Sequence, residues 1–242
     1  MNIIDCHCHA GKADGLKGPW DTEADISRFV GWSKAAGISR INLFAALQHN
    51  YEDGNRQVAA IVQRDPMFSG FAFVHAERDA GRIYPMVRQC VQEYGFIGIK
   101  VHRSDAHISR EICEVAKSFK LPVLYDVFSE TSHIELFATQ YPDVNFIIPH
   151  LSSFADDWRS QLSFIDHLVR HKNIYTDTSG VRRFDMLRMA VDRAGADKIL
   201  FGTDGPWLHP AVELEKIFAL KLSPEDEEKI LSKNFLKLTR RS

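Results

Sequence analysis

Eight short apolar runs, each followed by a stretch with helical periodicity, constrain this chain more than any other feature. They occupy residues 3–9, 41–47, 70–75, 96–102, 122–128, 145–150, 174–177 and 199–204. Successive runs are separated by roughly one βα unit of ~25–35 residues. Ile, Val, Leu and Phe fall on both parities of the runs, as expected of parallel strands covered on both faces. Helical signals lie between them. Ile26, Phe29 and Val30 share one helical face, with Asp21 or Thr22 as the expected cap and Gly37 as the terminator. Ser109 precedes Ile112, Val115 and Ala116 in the same way. Ser223-Pro224-Glu225-Asp226 supplies a cap, a proline at the first helical position and acids in the first turn, so a helix through Leu231 is expected. Eight such units could also build an open doubly wound sheet. Their number and even spacing favour an α/β fold of one kind, a single (β/α)₈ TIM-type barrel over residues 1–242. No linker, low-complexity tract or repeat divides the chain.

Composition narrows the function classes. The 242 residues carry 30 Lys and Arg against 32 Asp and Glu, a formal charge of −2. No basic block marks a nucleic-acid footprint, and no apolar run reaches the ~18 residues of a membrane span. The opening MNIIDCHCHAG enters a strand-like segment at once, without the pattern of a signal peptide. A cytoplasmic address is therefore expected. Cys6, Cys8, Cys90 and Cys113 read as reduced core residues.

Chemistry concentrates at the ends of the apolar runs. In Asp5-Cys6-His7-Cys8-His9, residues two apart on a strand share a face. His7 and His9 thus form a ready pair of zinc ligands, and Cys6 and Cys8 are expected to face the helix layer together. In Phe201-Gly202-Thr203-Asp204-Gly205-Pro206, Asp204 follows the last run. Closing the barrel brings the last strand beside the first, and Asp204 beside both histidines. A turn aspartate would explain Asp204 alone about as well. His150 ends the run Asn145-Phe146-Ile147-Ile148-Pro149. In residues 97–102 one parity is β-branched and the other is Gly98, Lys100 and His102. Lysine is almost never buried without a partner, so Lys100 and His102 are expected to face the barrel mouth. An ion pair from Lys100 to Asp5 or Asp126 is an equal reading. Asp126 faces inward by the same parity, and His75 ends the third run.

Together these segments resemble the amidohydrolase-related proteins, the group that contains aminocarboxymuconate-semialdehyde decarboxylase-like enzymes. The resemblance runs over nearly the whole chain, through IIDCHCH, GFIGIKVH, LPVLYDV, VNFIIPH with the following LSS, NIYTDTSG, KILFGTDGPW and the terminal helix with Asn234. It implies His7, His9 and Asp204 as metal ligands and His150 as the group that activates or orients water or substrate. The family usually places a histidine ligand at the end of the fifth strand, where this chain has Asp126. An aspartate there would keep the site with altered charge and geometry, or weaken its hold on metal.

The leading expectation is a metal-dependent hydrolase acting on a small carboxylate, lactone, ester or amide through a metal-activated water. The metal set is His7, His9, Asp126 and Asp204, with zinc first and manganese second. Asp204 and His150 are the catalytic pair. His75, Lys100, His102, Arg103 and Trp207 are candidates for holding the substrate. The alternatives are non-oxidative decarboxylation of an unsaturated or aromatic acid, and a non-catalytic binding domain. The expected partner is a small molecule, with no nucleic acid and no membrane; homo-oligomerisation is left open.

Overall fold

Residues 2–15 and 23–240 are described by a computed structural model. The cap expected at Asp21 or Thr22 lies outside the described residues. The strands are β1 (Ile4–Lys12), β2 (Glu23–Ala24), β3 (Arg40–Ala45), β4 (Phe68–Phe73), β5 (Gly98–His102), β6 (Val123–Asp126), β7 (Phe146–Ile148), β8 (Ile174–Asp177) and β9 (Ile199–Leu200). Each of the eight apolar runs supplies one parallel strand. β2 is an addition, a two-residue antiparallel partner on the tail of β1. The parallel strands pair in sequence order from β1 and β3 through to β9. Closure comes from Cys6 N–H donating to the Phe201 carbonyl at 3.0 Å, Asp204 N–H to the His7 carbonyl at 2.8 Å and His9 N–H to the Gly205 carbonyl at 2.6 Å. The sheet is therefore a barrel, as the spacing of the runs predicts.

Helices α1 (Ser27–Ala35), α2 (Tyr51–Val62), α3 (Ile83–Gln92), α4 (Arg110–Phe119), α5 (Ile134–Gln140), α6 (Trp158–Arg170), α7 (Phe184–Ala194) and α8 (Pro210–Ala219) cover the outside. The expected caps at Ser109 and Ser223 form, accepting from Ile112 N–H and Asp226 N–H. After Ser223 the helix is interrupted. A short α9 (Pro224–Glu228) passes into a π-helical turn at Lys229–Lys233 and then α10 (Asn234–Thr239). Among the described residues no helix is long and apolar enough to cross a membrane.

One expectation about β1 is corrected. Ile4 and Asp5 pair with Arg40 and Ile41, whereas Cys8, His9 and Ala10 pair with Leu43, Phe44 and Ala45. Three steps on β1 match two on β3, so β1 carries an extra residue, a β-bulge. Side-chain parity flips across it. Cys6 packs inside the barrel with Ile4, Leu124, Ile147 and Leu200, while Cys8 belongs to the cluster under the helices. The two cysteines therefore do not share a face, although all four cysteines are free and buried as expected. The cause is the buried Asp5 carboxylate. It accepts from His7 N–H at 3.1 Å and from Thr203 N–H and hydroxyl at 3.0 and 2.6 Å, pinching the strand and pinning it to the last βα loop.

Inward residues fill the barrel in layers. Ile4, Phe71, Leu124, Ile147 and Leu200 form the lower layer, closed by Phe235 and Leu238 of α10. Asn234 holds α10 there by donating to the Ala196 and Ile199 carbonyls at 2.7 Å. The opposite end, at the C-termini of the strands, stays open and carries the polar residues.

Candidate active site

A cavity of about 240 Å³ opens at that end, lined by His7, His9, Leu47, His102, Ser104, Asp126, Phe128, His150, Phe154, Asp204 and Trp207. Seven residues singled out from the sequence meet here: His7, His9, His102, Asp126, His150, Asp204 and Trp207. His150 and Asp204 reach it from irregular backbone beyond their strands. Both have left-handed φ, 60° and 58°, a conformation that costs of order 1–3 kcal/mol and persists where the surroundings impose it.

His7, His9 and Asp204 form one group, with ligand atoms within 4.8 Å of one another. The Asp204 carboxylate Oδ1 lies 3.3 Å from His7 Nε2 and 3.5 Å from His9 Nε2. The other ring nitrogens are already committed. His9 Nδ1 donates to the Ala45 carbonyl at 2.9 Å, and His7 Nδ1 to the Asp177 carboxylate at 2.8 Å. A carbonyl and a carboxylate only accept here, so both rings carry their proton on Nδ1. Burial holds His9 down to about 4, so at neutral pH its Nε2 is a bare lone pair. Asp204 stays ionised: burial opposes its charge, and the histidines around it, the charged His150 among them, outweigh that and hold it well below the usual carboxylate range. His7 Nε2 is buried without a hydrogen-bond partner among the described residues. The two Nε2 atoms and an Asp204 oxygen thus converge on one point, and that donor set fits a divalent cation.

Opposite stands a second group. The Asp126 Oδ2 atom lies 3.1 Å from His102 Nε2 and 3.5 Å from His150 Nε2. His150 Nδ1 donates to the Ser179 carbonyl at 2.7 Å. With acceptors at both nitrogens, His150 is an imidazolium. Burial works against that charge, but the Asp126 hydrogen bond and the charges of Asp126, Asp204 and Asp177 outweigh it and raise His150 to about 9. Asp126 is held well below its usual range by His102 and His150, against the effect of burial. Asp126 lines the cavity but is not among the converging ligand atoms, because two imidazoles claim it.

Three other candidates lie outside the cavity lining. Lys100 is fully buried beneath it, with Nζ 4.8 Å from the Phe44 ring centroid and no hydrogen-bond partner. No ion pair joins it to Asp5 or Asp126 among the described residues, and burial lowers its pKa. Arg103 turns to the rim, where its Nε donates to Glu130. His75 organises its own turn, Nδ1 accepting from Glu77 and Arg78 N–H at 3.2 and 3.1 Å. Conversely, Asp177 was not singled out, yet it fixes the tautomer of His7 and, through Oδ1, accepts from Ser179 N–H at 3.0 Å. Its position at the end of the seventh apolar run is the same signal that marked Asp126 and Asp204. Phe128 and Phe154, which wall the cavity, had no such signal because loop conformation brings them in.

The sequence profile of the family described as amidohydrolase matches residues 4–240. The chain belongs to the amidohydrolase family. No curated protein matches it by sequence. Solved structures that resemble this amidohydrolase include a probable 2-pyrone-4,6-dicarboxylic acid hydrolase from Acinetobacter baumannii with citric acid bound, at 14% identity and TM-score 0.76, covering 99% of each chain. A 2,6-dihydroxybenzoate decarboxylase from Rhizobium is 17% identical, with TM-score 0.73 and coverage of 99% of this chain and 98% of that one. A dihydroxybenzoic acid decarboxylase from Polaromonas, with bound manganese and the inhibitor 2-nitroresorcinol, is 19% identical with TM-score 0.72, covering 99% and 97%. At these identities the likeness carries the barrel and not the reaction.

Proposed function

We propose that this amidohydrolase is a metal-dependent hydrolase of a small, flat lactone, ester or amide bearing a carboxylate. The observation that carries the reading is the opposition, across one enclosed cavity, of the His7–His9–Asp204 lone pairs and the His150 imidazolium. His7, His9 and Asp204 would hold a divalent cation, which would supply Lewis acidity to a water and to a substrate oxygen. The chain's own groups do the rest. The ionised Asp204 carboxylate accepts a proton from the attacking water. His150 donates from its ring to the oxygen that gains charge, held in place by Asp126 and the Ser179 carbonyl. Leu47, Phe128, Phe154 and Trp207 exclude bulk water and sandwich a flat substrate. Of the residues expected to hold the substrate, His102 and Trp207 line the cavity, whereas Lys100 and Arg103 do not.

Decarboxylation of an aromatic or unsaturated acid is the second reading. The aromatic walls and a charged proton donor backed by Asp126 favour it, because a carbon losing carbon dioxide must gain a proton. A panel of lactones, esters, amides and aromatic acids, offered to zinc- and manganese-loaded protein with mass-spectrometric detection, separates the two. Products heavier by one water support hydrolysis. Release of carbon dioxide overturns it in favour of decarboxylation, and no turnover by any loaded form overturns both.

A further inference from the structure

Residues four apart on a helix share a face. On α6, His167 and the C-terminal cap residue His171 do so, with ring centroids 5.9 Å apart and planes at 18°. Glu135, in the first turn of the adjacent α5, faces both. One nitrogen from each ring and one Glu135 oxygen lie within 4.8 Å of one another. His167 is only 9% exposed. Its Nδ1 and the Nε2 of His171 are buried without hydrogen-bond partners among the described residues. Leaving a buried polar atom unpaired costs about 1–3 kcal/mol, so two on neighbouring rings call for a ligand. Burial also lowers both imidazoles below their usual 6.5, which leaves them uncharged at neutral pH. None of the three residues lines the active-site cavity.

We propose that Glu135, His167 and His171 form a second, structural site for a zinc-class divalent cation, bridging α5 to α6 in the outer helix layer. Two imidazole nitrogens and one carboxylate oxygen are donors that suit zinc, with solvent completing the coordination. Arg170 is the competitor for Glu135. Its Nη1 lies 3.5 Å from Oε2 in a pair more than half exposed on both sides, an interaction that contributes little. The bridge has a consequence at the mouth. α5 follows the loop that carries Phe128, and α6 follows the turn that carries His150 and Phe154, so a cation between the helices stiffens two walls of the cavity.

The test is a zinc titration of metal-stripped, full-length protein, with metal counted by atomic emission after desalting. About two zinc ions per chain are expected in the wild type, falling to about one in His171→Ala and to about one in Asp204→Asn, with none in the double variant. His171 is partly exposed at a helix end, and circular dichroism verifies that the variant folds. In the Asp204→Asn background zinc still raises the melting temperature, and adding His171→Ala removes that rise. An unchanged zinc count in His171→Ala, or a single zinc in the wild type that only Asp204→Asn removes, overturns the second site. A zinc lost in His171→Ala and retained in Asp204→Asn supports it and speaks against the active-site metal alone.

Discussion

Asp126 and Asp204 are both buried carboxylates at strand ends, and their neighbours give them opposite tasks. Asp204 faces Nε2 lone pairs, whereas Asp126 faces ring N–H donors. Asp204→Asn keeps the shape but removes the base and the ligand charge. Turnover on a substrate from the panel is expected to fall ~10²–10⁴-fold or more, with secondary structure intact by circular dichroism. His150→Asn removes the charged donor and should also reduce turnover, by less than Asp204→Asn. Near-normal activity in Asp204→Asn would overturn the mechanism. The His150–Asp126 pair also makes a prediction about pH. His150 titrates near 9 in the fold against an ordinary 6.5, so its contribution to stability is complete below about 6.5 and is lost as pH rises through about 9. Asp126 is shifted down, so its contribution is present above the ordinary carboxylate range and is lost as pH falls through its depressed value. Metal-stripped protein is therefore expected to lose on the order of 1–3 kcal/mol between pH 6.5 and 9. Urea titrations at several pH values measure this, and His150→Gln should flatten the slope.

Among the elements, β1 shows how a local defect creates the site. Without the bulge, strand parity would place Cys6 with Cys8 and turn His7 and His9 relative to the inward layer of Ile4. The Asp5–Thr203 contact that maintains the bulge is buried, and burial already pushes the Asp5 carboxyl up to about 7. Thr203→Val removes the hydroxyl at nearly constant volume and leaves a carboxylate oxygen without its donor. A loss of about 1–3 kcal/mol is expected, read by urea denaturation, together with weaker zinc binding because His7 shifts. Unchanged stability and zinc affinity would show that the bulge does not depend on this contact. The strand rhythm was legible because strands covered on both faces are written as continuous apolar runs. The bulge was not, because the Thr203 donors that pin Asp5 lie 198 residues away along the chain. Lys100 follows the predicted parity, yet it stops one layer short of the cavity and rests on the Phe44 ring.

For the whole molecule, the barrel is closed at one end by α10 and open at the other. Phe235 is 4% exposed and stacks on Phe71 with centroids 6.1 Å apart. Phe235→Ala is expected to cost about 3–5 kcal/mol, seen as a lower urea midpoint, while kcat of the folded fraction holds because the cavity lies at the other end. A matching loss of kcat under conditions where the protein is fully folded would tie the plug to the site. The sequence by itself determined the eight βα units, their closure and the identity of the histidines and aspartates at the strand ends. Hydrophobic periodicity and residue type are local, and a parallel barrel collects strand ends at one face. Only the tertiary structure decided that Asp126 faces the His102 and His150 imidazoles, that Asp177 fixes the His7 tautomer, that Lys100 is buried and Arg103 diverted, and that Phe128 and Phe154 wall the cavity. Each of those outcomes depends on which atoms from distant segments compete for the same donor, and that competition exists only once the barrel has closed.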